Sequence, residues 1–274
     1  MSVSKKVLPG FGLTMGLTMS YLSFIVLIPM FSLALEAAEV GWAGFWKAIT
    51  DPRIIASYKV SFGCSFIAAL INAIFGTIMA WVLTRYRFLG RRIIDGLIEL
   101  PFALPTAVAG IALTALTVDK GWIGKPLAEL GIAVAYTRVG IVVALTFITL
   151  PFVVRSVQPV LERLSPDYEE AGLVLGASKL KIFFKIVFPE IKPAVLTGFS
   201  LAFARGLGEY GSVIFIAGNK PLKTEIAPLM IVTRLEEFLY GQATAVALVM
   251  LTASFIIMFL INRLQIRSAT FCEG

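Results

Sequence analysis

Histidine is absent from this chain of 274 residues, and only two cysteines are present. Histidine is the side chain that most often binds metal ions, and it is a frequent general base near neutral pH. Cys64 lies inside an apolar run and Cys272 lies near the C-terminal end, so the two have neither disulfide nor metal-site spacing. The sequence therefore predicts no catalytic residue, no metal site and no cofactor.

Charged residues are also scarce, at 15% of the chain, whereas hydrophobic residues make up 58%. Soluble domains are usually about 45–50% apolar, and a membrane-spanning helix needs roughly 20 mostly apolar residues. The sequence predicts an all-α, polytopic membrane protein with about six transmembrane helices. We expect a single transmembrane domain over residues 1–274, with its core at about 55–265. The apolar runs lie at about 11–35, 57–84, 97–118, 138–157, 193–217 and 241–262.

The first apolar run follows Lys5 and Lys6, as the apolar core of a secretory signal peptide follows its basic start. This run is longer than the roughly 7–15 residues of such a core, and no A-x-A cleavage site follows it. We therefore expect a retained helix.

The net charge of +7 does not indicate nucleic-acid binding, because the basic residues cluster beside the apolar runs. If the N-terminus is cytoplasmic, 14 of the 24 Lys and Arg residues fall in inside segments and 9 in outside segments, with Arg205 inside a run. Cytoplasmic loops of membrane proteins carry an excess of Lys and Arg. We expect a multi-pass protein with both termini in the cytoplasm, in a plasma (inner) membrane or in a chloroplast envelope.

Nucleotide-binding motifs are missing or lack their structural context. No G-x-x-x-x-G-K-[ST] motif occurs, and "GWIGKP" at 121–126 lacks both its spacing and its hydroxyl. "GLGEYG" at 206–211 matches the dinucleotide fingerprint G-x-G-x-x-G, but no strand–turn–helix pattern surrounds it. Close helix contact explains these glycines better.

A polar segment interrupts the apolar runs between the fourth and fifth, at about 158–192. Ser165 can cap a helix whose first turn holds acidic residues, and Gly176 is a natural end for it. Ser178 can cap a second helix, which Pro189 is expected to end. In that second helix an apolar stripe is expected, because four residues are spaced i, i+3, i+4 and i+7; they are Leu180, Phe183, Phe184 and Val187.

The spacing in this segment resembles the "EAA" loop of permease subunits of ATP-binding-cassette importers. In that pattern Glu-Ala-Ala is followed by three residues, Gly, nine residues and Ile-x-Leu-Pro. Here the triplet is Glu170, Ala171 and Gly172, and Gly176 is the glycine. Ile186, Phe188 and Pro189 close the pattern. The alternative is a polar hairpin that packs under its own helical bundle.

The resemblance implies that this EAA-like loop (residues 158–192) couples the chain to a separate ATPase. Small residues would allow close approach of the partner, and Glu170 would offer it a charge. The expected coupling residues are Glu170, Ala171, Gly172, Gly176, Ala177 and Pro189.

Other stretches are similar to the sulfate and molybdate branch of these permeases. They are "ELPFALPTAVAGIALTAL" (99–116), "GIVVALTFITLPFVVRSVQPVLE" (140–162) and "FARGLGEYGSVIFIAGN" (203–219). The first two and "VLPGFGLTMG" are most like the T-type subunits of sulfate and thiosulfate importers. The resemblance implies a W-type permease partner, an ATPase dimer and an external sulfate-binding protein. Three alternatives stay open: a molybdate or tungstate permease, an ATP-independent secondary transporter and an intramembrane enzyme.

Two ionisable residues, Arg205 and Glu209, fall within the fifth apolar run. Charges in a membrane span are costly and usually face a protein interior or a water-filled path. Spaced i and i+4, the two are expected on one face of a helix. They are either a structural ion pair or part of an anion path. Pro101, Pro105 and Pro151 could place kinks.

Overall fold

The chain folds as a bundle of helices. The computed structural model describes residues 11–270, and no strand occurs in that range. The helices are α1 Phe11–Leu22, α2 Ile28–Glu39, α3 Gly41–Ile49, α4 Pro52–Arg85, α5 Arg91–Ile98, α6 Leu100–Ala103, α7 Thr106–Thr117, α8 Gly124–Glu129, α9 Arg138–Arg163, α10 Asp167–Val174, α11 Lys179–Ile182, α12 Phe188–Leu207, α13 Val213–Ile216, α14 Ala227–Glu236 and α15 Tyr240–Thr270. Two π-helical turns, Ser23–Leu27 and Phe183–Val187, join α1 to α2 and α11 to α12. The prediction of an all-α protein is confirmed.

Five helical stretches among the described residues are long and apolar enough to cross a membrane. They are Phe11–Glu39, Pro52–Arg85, Arg138–Arg163, Lys179–Leu207 and Tyr240–Arg263. A helix satisfies its own backbone hydrogen bonds, which is the requirement for crossing lipid. These stretches contain four of the six predicted apolar runs and the first part of a fifth, at 193–217.

The remaining run, at 97–118, is divided among the end of α5 and the separate helices α6 and α7. Leu104 has an extended backbone (φ −81°, ψ 134°), as expected for the residue before a proline. The chain therefore leaves the helix just before Pro105. With 12 residues, α7 is about 18 Å long, so it is shorter than the roughly 30 Å of a hydrocarbon core.

The fifth run is also interrupted, and the expectation of one helix over 193–217 is wrong. Helix α12 ends at Leu207, and a non-helical turn precedes the short helix α13. The glycines of the 206–211 stretch lie at this break. Glycine loses more conformational freedom in a helix than other residues do, and it permits the backbone to turn away.

Pro189 does not end the second helix of the EAA-like loop, and that prediction is also wrong. Proline lacks an N–H and its ring collides with the carbonyl four residues earlier. The π-helical turn Phe183–Val187 lies immediately before it, and such turns accommodate a local change in the helical hydrogen-bond pattern. Pro189 then lies in the first turn of α12, where proline is tolerated.

The core lies where α4, α9 and α12 pack against one another. Val153 of α9 is fully buried between two glycines. A Cβ built on Gly76 of α4 would lie 3.0 Å from the Val153 side chain, and a Cβ on Gly198 of α12 would lie 2.7 Å from the Val153 Cα. Small residues at these points allow the helices to approach closely.

A buried polar contact also joins α4 to α9. The side-chain amide of Asn72 donates hydrogen bonds to the carbonyl of Thr146 (2.9 Å) and to the hydroxyl of Thr149 (2.8 Å). Asn72 is fully buried, and in a membrane such a bond contributes about 0.6 kcal/mol on average.

By contrast, the most apolar stretch of the first span contains no buried residue, so that span lies at the edge of the bundle.

We predict that Gly198→Ala destabilises the bundle, because its new Cβ would collide with the α9 backbone. Overpacking of this kind typically costs about 1–3 kcal/mol. Gly63→Ala on α4 is the matched control, since nothing lies within 4 Å of a Cβ there. In an open helix Ala is about 1 kcal/mol more favourable than Gly. Thermal denaturation of the purified variants in detergent should place Gly198→Ala below wild type and Gly63→Ala at or above it. Equal midpoints for the two variants would contradict the close packing of α12 on α9.

Candidate functional site

The EAA-like loop begins with α10, and local hydrogen bonds define both ends of this helix. At its start, the Ser165 hydroxyl accepts a hydrogen bond from the Asp167 N–H (3.3 Å). At its end, the Gly176 N–H donates to the Leu173 carbonyl and the Ala177 N–H donates to the Gly172 carbonyl. Gly176 has φ +76°, so the helix ends in a Schellman motif. The predicted glycine stop is confirmed.

The loop then turns back into α11 and packs closely against α10. The Ser178 hydroxyl accepts a hydrogen bond from the Lys181 N–H (3.4 Å), which confirms the predicted cap. Gly172 is buried, and a Cβ built on it would lie 3.0 Å from the Ile182 side chain. A glycine in place of the alanine of the EAA pattern therefore brings α10 onto α11. Gly172 faces into the hairpin, whereas Ala171 and Gly176 are exposed.

The four residues of the predicted apolar stripe do not share one environment. Val187 is buried and Phe183 is partly buried, whereas Leu180 and Phe184 are exposed. The residue of α11 that packs on Gly172 is Ile182 and not Leu180 of the predicted stripe. Val174 and Leu175 are each 86% exposed at the end of α10. Exposed apolar residues grouped in this way mark an interaction surface.

Arg85, the last residue of α4, holds the loop against the transmembrane helices. Its guanidinium lies 2.9 Å from the Glu169 carboxylate, and both side chains are largely buried. It also donates a hydrogen bond to the Leu164 carbonyl (3.0 Å). Its Cζ lies 5.8 Å from the centroid of the Trp81 ring, within the range of a cation–π interaction.

Beside Arg85, a cleft of about 550 Å³ separates the end of α4 from the loop. Trp81 and Arg85 line it from α4, and Glu169, Leu180 and Phe183 line it from the loop. The loop is therefore attached at defined points and is not packed against α4 over its whole length.

Arg205 and Glu209 form an ion pair at the break after α12, with their nearest atoms 2.6 Å apart. Glu209 lies beyond the end of the helix, so the expectation of one shared helix face is wrong. The Glu209 side chain is 2% exposed and that of Arg205 is 36% exposed. The Glu209 carboxylate also accepts hydrogen bonds from the Ser212 N–H (2.9 Å) and hydroxyl (3.0 Å). The carboxylate therefore stabilises both the turn and the arginine.

The turn after α12 packs directly on the first residues of α7, the other interrupted segment. A Cβ on Gly110 would lie 2.4 Å from the Ser212 carbonyl oxygen, and a Cβ on Gly211 would lie 2.2 Å from the Thr106 hydroxyl. Irregular backbone at membrane depth is tolerated where it is buried in protein or lines a water-filled cavity. The two interruptions of the bundle thus meet at one place.

A second group of charges lies at the opposite end of α4 from Arg85. Arg53 donates two hydrogen bonds to Glu225, from Nε at 2.8 Å and from Nη2 at 2.5 Å. Glu225 is 4% exposed. Arg138 donates a hydrogen bond to the Lys223 carbonyl nearby in the chain (2.7 Å). The segment after α13 is therefore fastened to α4 and to the start of α9.

Residues 72–269 match the family described as binding-protein-dependent transport system inner membrane component. The chain belongs to this family. It is thus a multi-pass inner membrane component of a transport system. The "Sulfate transport system permease protein CysT" of Salmonella typhimurium and that of Escherichia coli are each 50% identical to it over 264 residues, which cover 96% of this chain and 95% of each relative. A "Probable sulfate transport system permease protein cysT" of Chlorokybus atmophyticus is 46% identical over 91% of this chain and 87% of the relative.

Solved structures support the same architecture. A bacterial ABC transporter involved in the import of the acidic polysaccharide alginate gives a TM-score of 0.77 at 16% identity, over 94% of this chain and 96% of that one. The inward-facing MetNI methionine ABC transporter gives 0.58 at 14% identity, over 78% of this chain and 95% of that one. At these identities the likeness concerns the fold, which is that of a type I ABC-importer permease.

The structure separates the predicted residues of this permease into two groups. Glu170, Ala171 and Gly176 lie on the exposed side of the EAA-like loop, and Ala177 is partly exposed. Pro189 starts α12. Arg205 and Glu209 lie at the interior break, far along α12 from the loop.

Three polar contacts were not predicted from the sequence. They are those of Asn72 with Thr149, of Arg85 with Glu169 and of Arg53 with Glu225. An asparagine in the middle of the 57–84 run was a readable signal, since polar residues in spans usually have a partner. Arg85 follows Trp81 by four residues, which favours a contact between these two side chains but does not predict the pairing of Arg85 with Glu169. The pairing of Arg53 with Glu225 had no local signal, because the two are 172 residues apart.

We predict that Glu209→Ala destabilises the permease. It would leave the buried N–H of Ser212 without its acceptor, which costs about 1–3 kcal/mol, and would leave Arg205 unpaired. Glu209→Gln keeps an acceptor for Ser212 but loses the charge, so its effect should be smaller. Glu237→Ala is the control, because Glu237 pairs with Arg234 at an exposed site and such pairs contribute about 0–1 kcal/mol. Thermal denaturation should rank wild type and Glu237→Ala highest, then Glu209→Gln, then Glu209→Ala. A Glu209→Ala midpoint equal to wild type would show that the turn does not need this carboxylate.

Proposed function

We propose that this chain is the T-type permease subunit of an ATP-driven sulfate and thiosulfate importer. The observation that carries the proposal is the 50% identity, over nearly the full length of both chains, to permeases named for sulfate transport. The two interrupted segments that meet inside the bundle give such a subunit a place for a path across the membrane.

In this proposal the EAA-like loop binds a separate ATPase. Its exposed side carries the large apolar residues Val174 and Leu175 beside the small residues Ala171 and Gly176. An apolar surface of this kind needs a partner to cover it, and small residues let that partner approach the backbone. Glu170 is exposed beside them and would set the register of the contact.

The proposed assembly contains this subunit, a related W-type permease, an ATPase dimer and an external sulfate-binding protein. ATP hydrolysis takes place on the ATPase, since this sequence carries no phosphate-binding motif. Both termini face the cytoplasm, which places the loop on the ATPase side. ATP binding closes the ATPase pair, moves the loop and changes the access of the path from one side to the other.

Arg205 is proposed to face the anion path or the partner permease. Its side chain keeps 36% of its surface exposed while Glu209 is buried behind it. Glu209 thereby reduces the net charge near the arginine, so that a divalent anion is attracted without being held too tightly.

The function is tested by producing the chain with the W-type permease, the ATPase and the binding protein from one source in cells that lack sulfate uptake. We expect ATP-dependent uptake of labelled sulfate that excess thiosulfate inhibits. Inhibition by molybdate but not by thiosulfate would assign the molybdate branch instead. Uptake that survives ATP depletion and stops when the ion gradient collapses would indicate a secondary transporter.

We predict that Gly176→Val abolishes sulfate uptake while the permease remains in the membrane. Gly176 has φ +76° and no atom within 4 Å of a built Cβ. A non-glycine residue in this conformation costs roughly 1–2 kcal/mol, and the new side chain would project toward the ATPase. Gly131→Val is the matched control, because Gly131 has φ +75° and equally open surroundings away from the loop.

The two variants carry the same backbone strain, so a difference between them reports contact with the partner. Uptake, ATPase rate and co-purification of the ATPase are measured on the same preparations. Glu170→Ala should be milder, since an exposed charge pair contributes only about 0–1 kcal/mol. Normal uptake by Gly176→Val with the ATPase still bound would show that the loop is an ordinary hairpin.

A further inference from the structure

We propose that α4 transmits movement of the EAA-like loop to the opposite surface of the permease, and that Arg85 is the positioning residue that joins the loop to this helix. The inference rests on the proposed coupling role of the loop and adds the route by which coupling reaches the path. It follows from ion pairs at the two ends of α4 and from what α4 contacts between them.

At the loop end, Arg85 makes three contacts at once. It pairs with Glu169 of α10, donates to the carbonyl of Leu164 just before α10, and stacks over Trp81 of its own helix. Both charged side chains are largely shielded from solvent, at 16% and 21% exposure. An ion pair that is shielded from solvent is screened less by salt than one at an open surface. Movement of α10 therefore acts on the end of α4.

At the other end, α4 is attached to the segment between α13 and α14. Arg53 holds Glu225 through two parallel hydrogen bonds, the geometry that gives an arginine–carboxylate pair its directional strength. Two turns further along α4, the hydroxyl of Ser61 accepts a hydrogen bond from the Ala227 N–H (2.8 Å). The start of α14 is therefore attached to α4 and would move with it.

Between these ends α4 is one unbroken helix. It has 34 residues, which is about 50 Å, and its proline lies in the first turn. Asn72 ties it to α9 at mid-length. Ser65 lies against Gly206, since a Cβ built there would be 3.3 Å from the Ser65 hydroxyl. Gly206 follows Arg205 in the chain, so α4 also touches the interior break.

Helix α12 is the obvious alternative route, because it is continuous with the loop through the π-helical turn. It ends at Leu207, however, and the chain is non-helical from there to α13. A helix that stops at the interior break cannot carry a rigid displacement to the far surface. Coupling between distant sites is carried by packed, contiguous elements, and α4 touches the loop, the break and the segment around Glu225.

The test uses the complete importer reconstituted in vesicles with its binding protein. Arg85→Gln, Glu169→Gln and the double variant are compared with wild type, and Glu225→Gln examines the far end. Glu129→Gln is the control, because Glu129 is an exposed residue of α8, a short helix that packs on α7. The measurements are sulfate transported per ATP hydrolysed, co-purification of the ATPase and thermal midpoint.

We expect each variant at Arg85, Glu169 or Glu225 to lower sulfate transported per ATP by about fivefold or more, the lower range of coupling between sites. The ATPase should still co-purify, and the double variant should be no worse than either single one, since the two groups act through one another. Glu169→Asp should recover part of the loss. The control should match wild type.

Failure of this inference is distinct from failure of the proposed function. A wild-type complex that takes up no sulfate would overturn the function. An active wild type with an unchanged sulfate-to-ATP ratio in Arg85→Gln and Glu169→Gln would overturn the inference alone. Loss of the ATPase, or a fall in thermal midpoint that accounts for the lost uptake, would show that the pair only maintains structure, and this would overturn it as well.

Discussion

Within lipid, a backbone N–H or carbonyl that leaves a helix must find its partner inside the protein, because no water is available. This chain interrupts two of its membrane segments, one before Pro105 and one after Leu207. Both interruptions lie against each other, and the buried Glu209 carboxylate supplies acceptors to the second. The uninterrupted helix α9 packs against both α7 and α13, and α4 lies against the second interruption at Gly206. The arrangement brings the two irregular segments together inside the bundle, where each is covered by protein.

The close packing of α4, α9 and α12 and the looser packing of the first span have different physical origins. Glycines at 76 and 198 let α4 and α12 approach Val153 of α9 so closely that a methyl group would collide. The first span has no such contacts along its most apolar stretch. Its surface is left for lipid or for another subunit, and this suits a chain that works as part of an assembly.

The features that could be predicted from the sequence are those with local causes. Apolar runs predicted the spans, and Gly176 and Ser178 predicted a helix end and a helix start because each acts on its own neighbours. The errors arose where a distant or cooperative effect decided. A π-helical turn let the helix continue past Pro189, and the Glu209 side chain holds a turn where one helix was expected over 193–217. The pairs of Arg53 with Glu225 and of Arg85 with Glu169 depend on the tertiary fold, so no local pattern announces them.

The π-helical turn at Phe183–Val187 also explains why the length of the EAA-like segment matters. Each residue of a helix rotates the chain by about 100°, and α11 is joined to α12 without a flexible link. Deleting one residue there would turn the whole α10–α11 hairpin to another side of the bundle, away from Arg85. The nine residues between Gly176 and Ile186 thus fix the rotation of the hairpin about the helix axis. Substitutions within these nine residues leave that rotation unchanged, whereas insertions and deletions alter it. The spacing can therefore remain recognisable where the residues themselves differ.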